Sequence, residues 1–348
     1  MNGTKTKAAV LVELHKHLEI EELEVPVLGV GQVLVEVRKT ALCGRQIAEI
    51  SGAKGPDKYL PHLLGHEGGG IVIDAGPGVK KVTPGQPVVL HWRKGAGIEA
   101  APPRYRRQNG GFVGAGPVAT FTEFAVVSEN RITPITDEID HEIAALLGCS
   151  VTTGLGLINN EAKLKIGQSI AVLGVGGVGL NVIQGAALVS AHPIIAIDIK
   201  AEKLNRALEY GADYVLDNRK LPIETDIYAM TGGRGVDVFV ETTGRPDLIN
   251  LAYHLTAPGG KTIMVGQPGH GQHLGLTNQS ENFTGKTLID SEGGQTNPDI
   301  DIPRYIELYR NRKLKLDSLI THEFNLEGIN KAIAKVIDGE AGKVIISL

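Results

Sequence analysis

Ten residues, Ala171-Val172-Leu173-Gly174-Val175-Gly176-Gly177-Val178-Gly179-Leu180, narrow the folds open to this chain more than any other stretch. An apolar run of strand type meets glycines spaced G-x-G-x-x-G and passes into a predicted helix over Gly179–Val189. Gly174 permits a tight turn, Gly176 lets backbone approach a pyrophosphate, and Gly179 lets helix and strand pack closely. Gly177 and Val178 lie between them, where the free N–H groups of a helix N-terminus face phosphates. Asp198 ends the next predicted strand, 19 residues after Gly179. A carboxylate there accepts hydrogen bonds from a ribose diol and repels a 2′-phosphate, so the expected cofactor is NAD rather than NADP. Lys200 and Lys203 follow closely and pull the other way.

The surrounding pattern fits a doubly wound α/β domain. Predicted strands Ser169–Leu173, Ile194–Asp198, Tyr214–Leu216, Val236–Glu241 and Lys261–Val265 alternate with helices, among them Ala201–Tyr210. Such alternation indicates a parallel sheet. The first 150 residues read instead as β-rich, with strands at Lys7–Val12, Val33–Arg38, Ile71–Asp74 and Val88–His91 punctuated by Pro and Gly turns. The tail is mixed, with helices near Ile302–Arg312 and Glu327–Asp338 and a last strand at Lys343–Leu348. A length of 348 residues fits two domains, since one core rarely grows past about 250–300 residues. The expected division is residues 1–150, 151–290 and 291–348.

The chain has two cysteines, Cys43 and Cys149, and between them the run Gly65-His66-Glu67. Two thiolates and one imidazole leave a fourth position open on Zn²⁺, as a catalytic zinc requires. A buried structural pair or a disulfide is the competing reading; a disulfide sits poorly in a cytosolic-looking chain with so few cysteines. Net charge is −4, without the basic excess that nucleic-acid binding asks for. No secretory h-region is evident near the N-terminus. Ile170–Val189, the one membrane-like stretch, is better explained by its glycine spacing. A soluble, cytoplasmic protein without nucleic-acid or membrane partners is expected.

Taken together, Gly65-His66-Glu67, Cys149, the Leu173–Leu180 fingerprint, Asp198-Ile199, Glu241-Thr242-Thr243-Gly244 and Leu319-Ile320-Thr321-His322 resemble the zinc-dependent medium-chain alcohol dehydrogenases. The resemblance spans nearly the whole chain. It implies a GroES-like β-rich catalytic domain that residues 291–348 rejoin, a Rossmann domain, and a cleft between them that holds zinc and nicotinamide. It implies Cys43, His66 and Cys149 as zinc ligands, with Glu67 as an acid beside the metal that can ligate it transiently. It places Thr153, Val178 and Val265 at the nicotinamide, Lys203 at the adenosine ribose, Lys343 at the pyrophosphate and Trp92 in the substrate pocket. It also suggests a homodimer or homotetramer acting on a small molecule.

The chain departs from the family pattern twice. Residues 91–107 hold none of the cysteines that bind a second, structural zinc in many relatives, so only one zinc is expected. Arg45 stands where the family usually has a Ser or Thr that starts a proton relay, a task arginine cannot perform. Arg45, with Arg93, Lys94, Arg104, Arg106 and Arg107 after Trp92, suggests a substrate larger and more anionic than ethanol, or a solvated loop. The leading expectation is an NAD-dependent dehydrogenase with zinc as Lewis acid on the substrate oxygen. Its rivals are a reductase of an unusual acyl, sugar or cyclitol substrate, a glutathione-adduct formaldehyde dehydrogenase, and a dinucleotide-binding protein without turnover. His62 and Glu67 are proton-path candidates by proximity to His66.

Overall fold

The computed structural model describes residues 3–136, 138–219, 222–275, 284–339 and 341–348. The chain divides into two compact units, one of Met1–Cys149 with Asn297–Leu348, the other of Ser150–Thr296.

The first unit is β-rich, as its alternating Val, Leu and Ile runs predict. Strands Lys5–Leu11, Glu19–Glu24, Arg104–Arg107, Phe112–Gly114 and His62–Leu63 close a small barrel. A second sheet centres on Gln32–Ala41, which pairs antiparallel with Glu67–Ala75, Phe124–Ser128 and Lys343–Ser347. That strand is longer than the predicted Val33–Arg38 because partners hold both its ends. Thr40, polar and fully buried, donates from Oγ1 to Glu67 O at 2.7 Å. Val33, Val35, Val37, Val72, Val88, Leu90 and Ile132 fill the core beneath this sheet. The last strand draws the C-terminal segment back into the unit; Ile345 pairs with Ala41.

The stretch after Trp92 carries no cysteine, and carboxylates organise it. Glu129, 3% exposed, accepts from the backbone N–H groups of Lys80, Lys81 and Ile98 at 2.6, 2.9 and 2.7 Å. Burial opposes its charge, yet these three donors hold the carboxyl below its usual range. Asp299 takes Ala96 N at 2.5 Å, and Glu99 takes Arg131 at 2.9 Å. Glu129→Ala leaves three part-buried donors without this acceptor and is expected to cost about 2 kcal/mol, read as a lowered midpoint in chemical denaturation. An unchanged midpoint removes Glu129 from this role.

The second unit is a six-stranded parallel sheet. Its order runs Tyr214–Asp217, Ile194–Asp198, Ile170–Leu173, Val236–Glu241, Thr256–Met264, Thr287–Asp290. Both faces are apolar, as a sheet covered on each side requires: on one, Ala171, Leu173, Ile195, Ile197 and Phe239 pack against Ile223, Ile227, Ala252 and Leu255, and on the other Val172, Ala196, Val238 and Val240 are buried. The membrane-like stretch Ile170–Val189 is the central strand followed by helix Gly177–Leu188. Among the described residues no single helix is long and apolar enough to cross a membrane.

Candidate metal centre and cofactor site

Local backbone chemistry brings four side chains of the first unit together. Cys43 has extended backbone just ahead of helix Gly44–Ile50. His66 follows Gly65, whose φ of +92° and close approach to Phe121 N exclude a side chain. Glu67 opens its strand and is fully buried. Cys149 follows Gly148 at the end of helix His141–Leu147; a Cβ on Gly148 would lie 2.3 Å from Leu90 O and 2.9 Å from Glu67 Cα. Only glycine lets that helix end come so near the Glu67 strand.

The donor atoms of Cys43, His66, Glu67 and Cys149 all lie within 4.8 Å of one another. His66 Nδ1 meets Gln46 Nε2 at 2.6 Å, whereas His66 Nε2 and Glu67 Oε2 are buried without a hydrogen-bond partner. Buried polar atoms are normally satisfied, so two unpaired ones aimed at a pair of sulfurs mark a place for a cation. Soft sulfur and imidazole donors suit zinc, and the set fits a site of three ligands plus one exchangeable position.

The electrostatics of the cluster are coupled. Cys43 is held well below the ordinary thiol range, chiefly by its hydrogen bond with Cys149; the same contact and burial push Cys149 up. Burial disfavours a charged His66 ring, but the Cys43 sulfur outweighs it and raises the ring's pKa. Burial pushes Glu67 up to about 7 against the pull of Lys343. Lys343 stays protonated because Glu67 and the two sulfurs outweigh its own burial.

Sequence reasoning gave Lys343 to a pyrophosphate. The structure places it 4% exposed, its Nζ donating to Glu67 Oε1 at 2.5 Å and Leu42 O at 3.1 Å. Sequence reasoning passed over Gln46. Its signal was the spacing Cys43-x-x-Gln46, a capping box in which the Gln side chain reaches back to the Cys43 N–H at 2.9 Å. His62 binds Asp57 at 2.8 Å and Leu63 O at 3.0 Å.

The cationic run around Trp92 is not one free patch. Residues 104–107 form a barrel strand rather than a loop, and Arg107 grips Glu21 through Nε at 2.8 Å and Nη2 at 2.5 Å. Arg104 stacks over Phe112, and Lys94 pairs with Glu99 at 2.7 Å. Arg45 lies 3.6 Å from Glu49, and the Arg93 guanidinium lies over the Trp92 ring.

In the second unit the glycine turn is built as its spacing predicts. Gly174 has φ +90°, and a Cβ there would strike Thr242 Oγ1 at 2.2 Å; one on Gly179 would strike Gly174 O at 2.1 Å. A Cβ on Gly176 meets nothing within 4 Å, so this backbone borders open space, the cradle a pyrophosphate needs. Gly177 and Val178 begin the helix. Asp198 accepts Val175 N at 2.8 Å, Ile199 N at 2.7 Å and Lys200 N at 3.0 Å, bracing the turn. Thr153 is buried on helix Ser150–Gly156, Lys203 is half-buried on helix Ala201–Glu209, and Val265 N donates to Glu241 O.

Known proteins agree with this geometry. Residues 29–137 match the alcohol dehydrogenase GroES-like domain family, and 177–311 the zinc-binding dehydrogenase family. An S-(hydroxymethyl)glutathione dehydrogenase of Synechocystis sp. is 32% identical over 98% of this chain and 99% of its own. The chain belongs to the zinc-dependent medium-chain alcohol dehydrogenases. A second S-(hydroxymethyl)glutathione dehydrogenase, from Paracoccus denitrificans, is 28% identical over 98% of this chain and 99% of its own. Benzyl alcohol dehydrogenase from Acinetobacter calcoaceticus has a TM-score of 0.90 at 26% identity, covering 99% of each chain. Membership makes this medium-chain dehydrogenase an oxidoreductase of small molecules that uses zinc and a nicotinamide dinucleotide.

Proposed function

We propose that the protein transfers hydride between NAD(H) and an alcohol or carbonyl compound carrying an anionic or sugar-like portion. The observation that carries this reading is the Cys43–His66–Cys149 triad with His66 Nε2 buried and unpaired. A zinc ion held there would supply Lewis acidity toward the substrate oxygen, and a bound nicotinamide would supply the hydride chemistry. The protein's own part is positional. Cys43, His66 and Cys149 would hold the metal, and Glu67 would stand beside it with one oxygen unpaired. Lys343 fixes the other oxygen of Glu67. Arg45 and Arg93 bind the anionic part of the substrate, and Trp92 lines its apolar part. Residues 151–290 bind the cofactor, with Gly174, Gly176, Gly177, Val178 and Gly179 at the pyrophosphate, Thr153 and Val265 at the nicotinamide, and Asp198 and Lys203 at the adenosine ribose. Residues 1–150 and 291–348 form the catalytic domain of a cytoplasmic homodimer or homotetramer.

A glutathione adduct of formaldehyde is the second reading, favoured by full-length relatives that carry that activity in their names. A substrate panel monitored through reduced nicotinamide, with and without glutathione, separates the two. Loss of turnover on chelation and its return with zinc support both; turnover indifferent to chelation overturns both.

Cofactor choice rests on Asp198. Both oxygens of this carboxylate also brace backbone N–H groups, and the NH₂ of an Asp198→Asn variant would face one of those donors, so its kinetics are read beside its denaturation midpoint. The expected loss in kcat/KM for NAD is about ten- to a hundredfold, with little change for NADP. A wild-type enzyme that prefers NADP shows that Lys200 or Lys203 outweighs the acid.

A further inference from the structure

The side chain of Gln46 is wholly buried and bridges two metal ligands, and its two ends are chemically different. The backbone N–H of Cys43 can only donate, so the Gln46 atom 2.9 Å from it is the amide oxygen. The amide NH₂ then faces His66 Nδ1 at 2.6 Å. That contact is a hydrogen bond only when Nδ1 accepts, which puts the proton of a neutral ring on Nε2. Nε2 is the ring atom left to face a metal.

The two demands conflict. With its proton moved to Nδ1, the ring points an N–H at the Gln46 NH₂. Turning the amide over gives Nδ1–H the oxygen but sets the NH₂ against the Cys43 N–H. In either arrangement one buried N–H lacks an acceptor. A metal-binding histidine ordinarily donates its second N–H to a carboxylate, a carbonyl or water, and an amide already claimed by Cys43 is none of these.

We propose that Gln46 is a positioning residue that holds His66 in the Nε2-protonated tautomer and thereby sets a low zinc affinity for this centre. The inference rests on the metal reading given under proposed function. Gln46→Glu tests it, because a carboxylate of the same length accepts from Cys43 N–H and His66 Nδ1–H together. Competition with a chromophoric chelator is expected to show zinc bound about ten- to a hundredfold more tightly by Q46E. Nitrogen NMR on zinc-stripped, histidine-labelled protein, taken above the pH at which the ring loses its second proton, reads the neutral ring directly, with His66→Ala assigning the signal. The wild type is expected to carry its His66 proton on Nε2 and Q46E on Nδ1. An added negative charge alone would tighten zinc without moving the tautomer, so tighter binding with an unmoved tautomer overturns the proposal. So does a zinc-stripped wild type protonated on Nδ1, a measurement that needs no folded variant. Equal zinc affinity with the same tautomer also overturns it and leaves the metal reading standing. Failure of wild type and Q46E alike to take up zinc overturns the metal reading and this inference with it.

Discussion

Replacing His66 by alanine is expected to empty the metal centre and lower kcat/KM by roughly a thousandfold, the several kcal/mol that a Lewis acid supplies to a developing oxyanion. The wild type is expected to hold about one zinc per chain, since residues 91–107 offer no cysteine for a second. Cys43→Ser acts on the same centre and is expected to lower zinc content and turnover together. Neither change removes a hydrophobic contact of the core, and Glu67 and Cys149, which remain in both variants, are held by a sheet strand and by the chain just after helix His141–Leu147. The folded state is therefore expected to persist, which circular dichroism checks. Undiminished turnover in both variants, with zinc content measured alongside, takes the metal out of the mechanism.

The parts of this structure that were legible in the sequence are those set by short-range chemistry. Gly174, Gly176 and Gly179 announce a turn because their spacing is a property of ten consecutive residues, and the structure builds that turn with Gly174 at φ +90°. The strand Ile194–Asp198 was readable to the residue, since an apolar run ends there on a carboxylate that braces the glycine turn. Boundaries that depend on partners were less readable. The helix predicted from Ile302 begins at Pro298, because Asn297 caps it and proline is accommodated in a first turn. Arg104–Arg107 looked like a charged loop, yet alternate residues face inward and buried Tyr105 anchors the strand. The surroundings of the metal ligands were least readable. Gln46 is an unremarkable helix residue until Cys43 and His66 are seen at its two ends. Lys343 lies 276 residues from Glu67, and only pairing of the last strand with Gln32–Ala41 brings them together.

That long-range pair carries the largest expected effect on stability. Lys343 and Glu67 are 4% and 0% exposed, and the ammonium serves both the carboxylate and Leu42 O. Removing one member of a buried ion pair leaves an uncompensated charge, so Lys343→Met is expected to destabilise zinc-stripped protein by about 3–5 kcal/mol near pH 8. The deficit should depend on pH with a defined sign. Burial already pushes Glu67 up to about 7 with Lys343 present, and without the lysine its pKa rises further. Between the ordinary carboxyl value, roughly 4.3, and that raised folded value, the native state binds more protons than the unfolded state. Stability contributed by this group is thus present at low pH, falls as pH climbs through the folded pKa and levels off above it. The gap between Lys343→Met and wild type should be small near pH 5, where Glu67 takes a proton, and widest above pH 8. Adding Glu67→Gln removes the charge that lacks a partner, so the double variant should recover much of the loss and flatten the pH dependence. Denaturation midpoints for the four proteins at the two pH values decide the matter. A Lys343→Met deficit equal at both, or a double variant as unstable as the sum of the singles, would show that Lys343 acts through packing and not through the charge of Glu67.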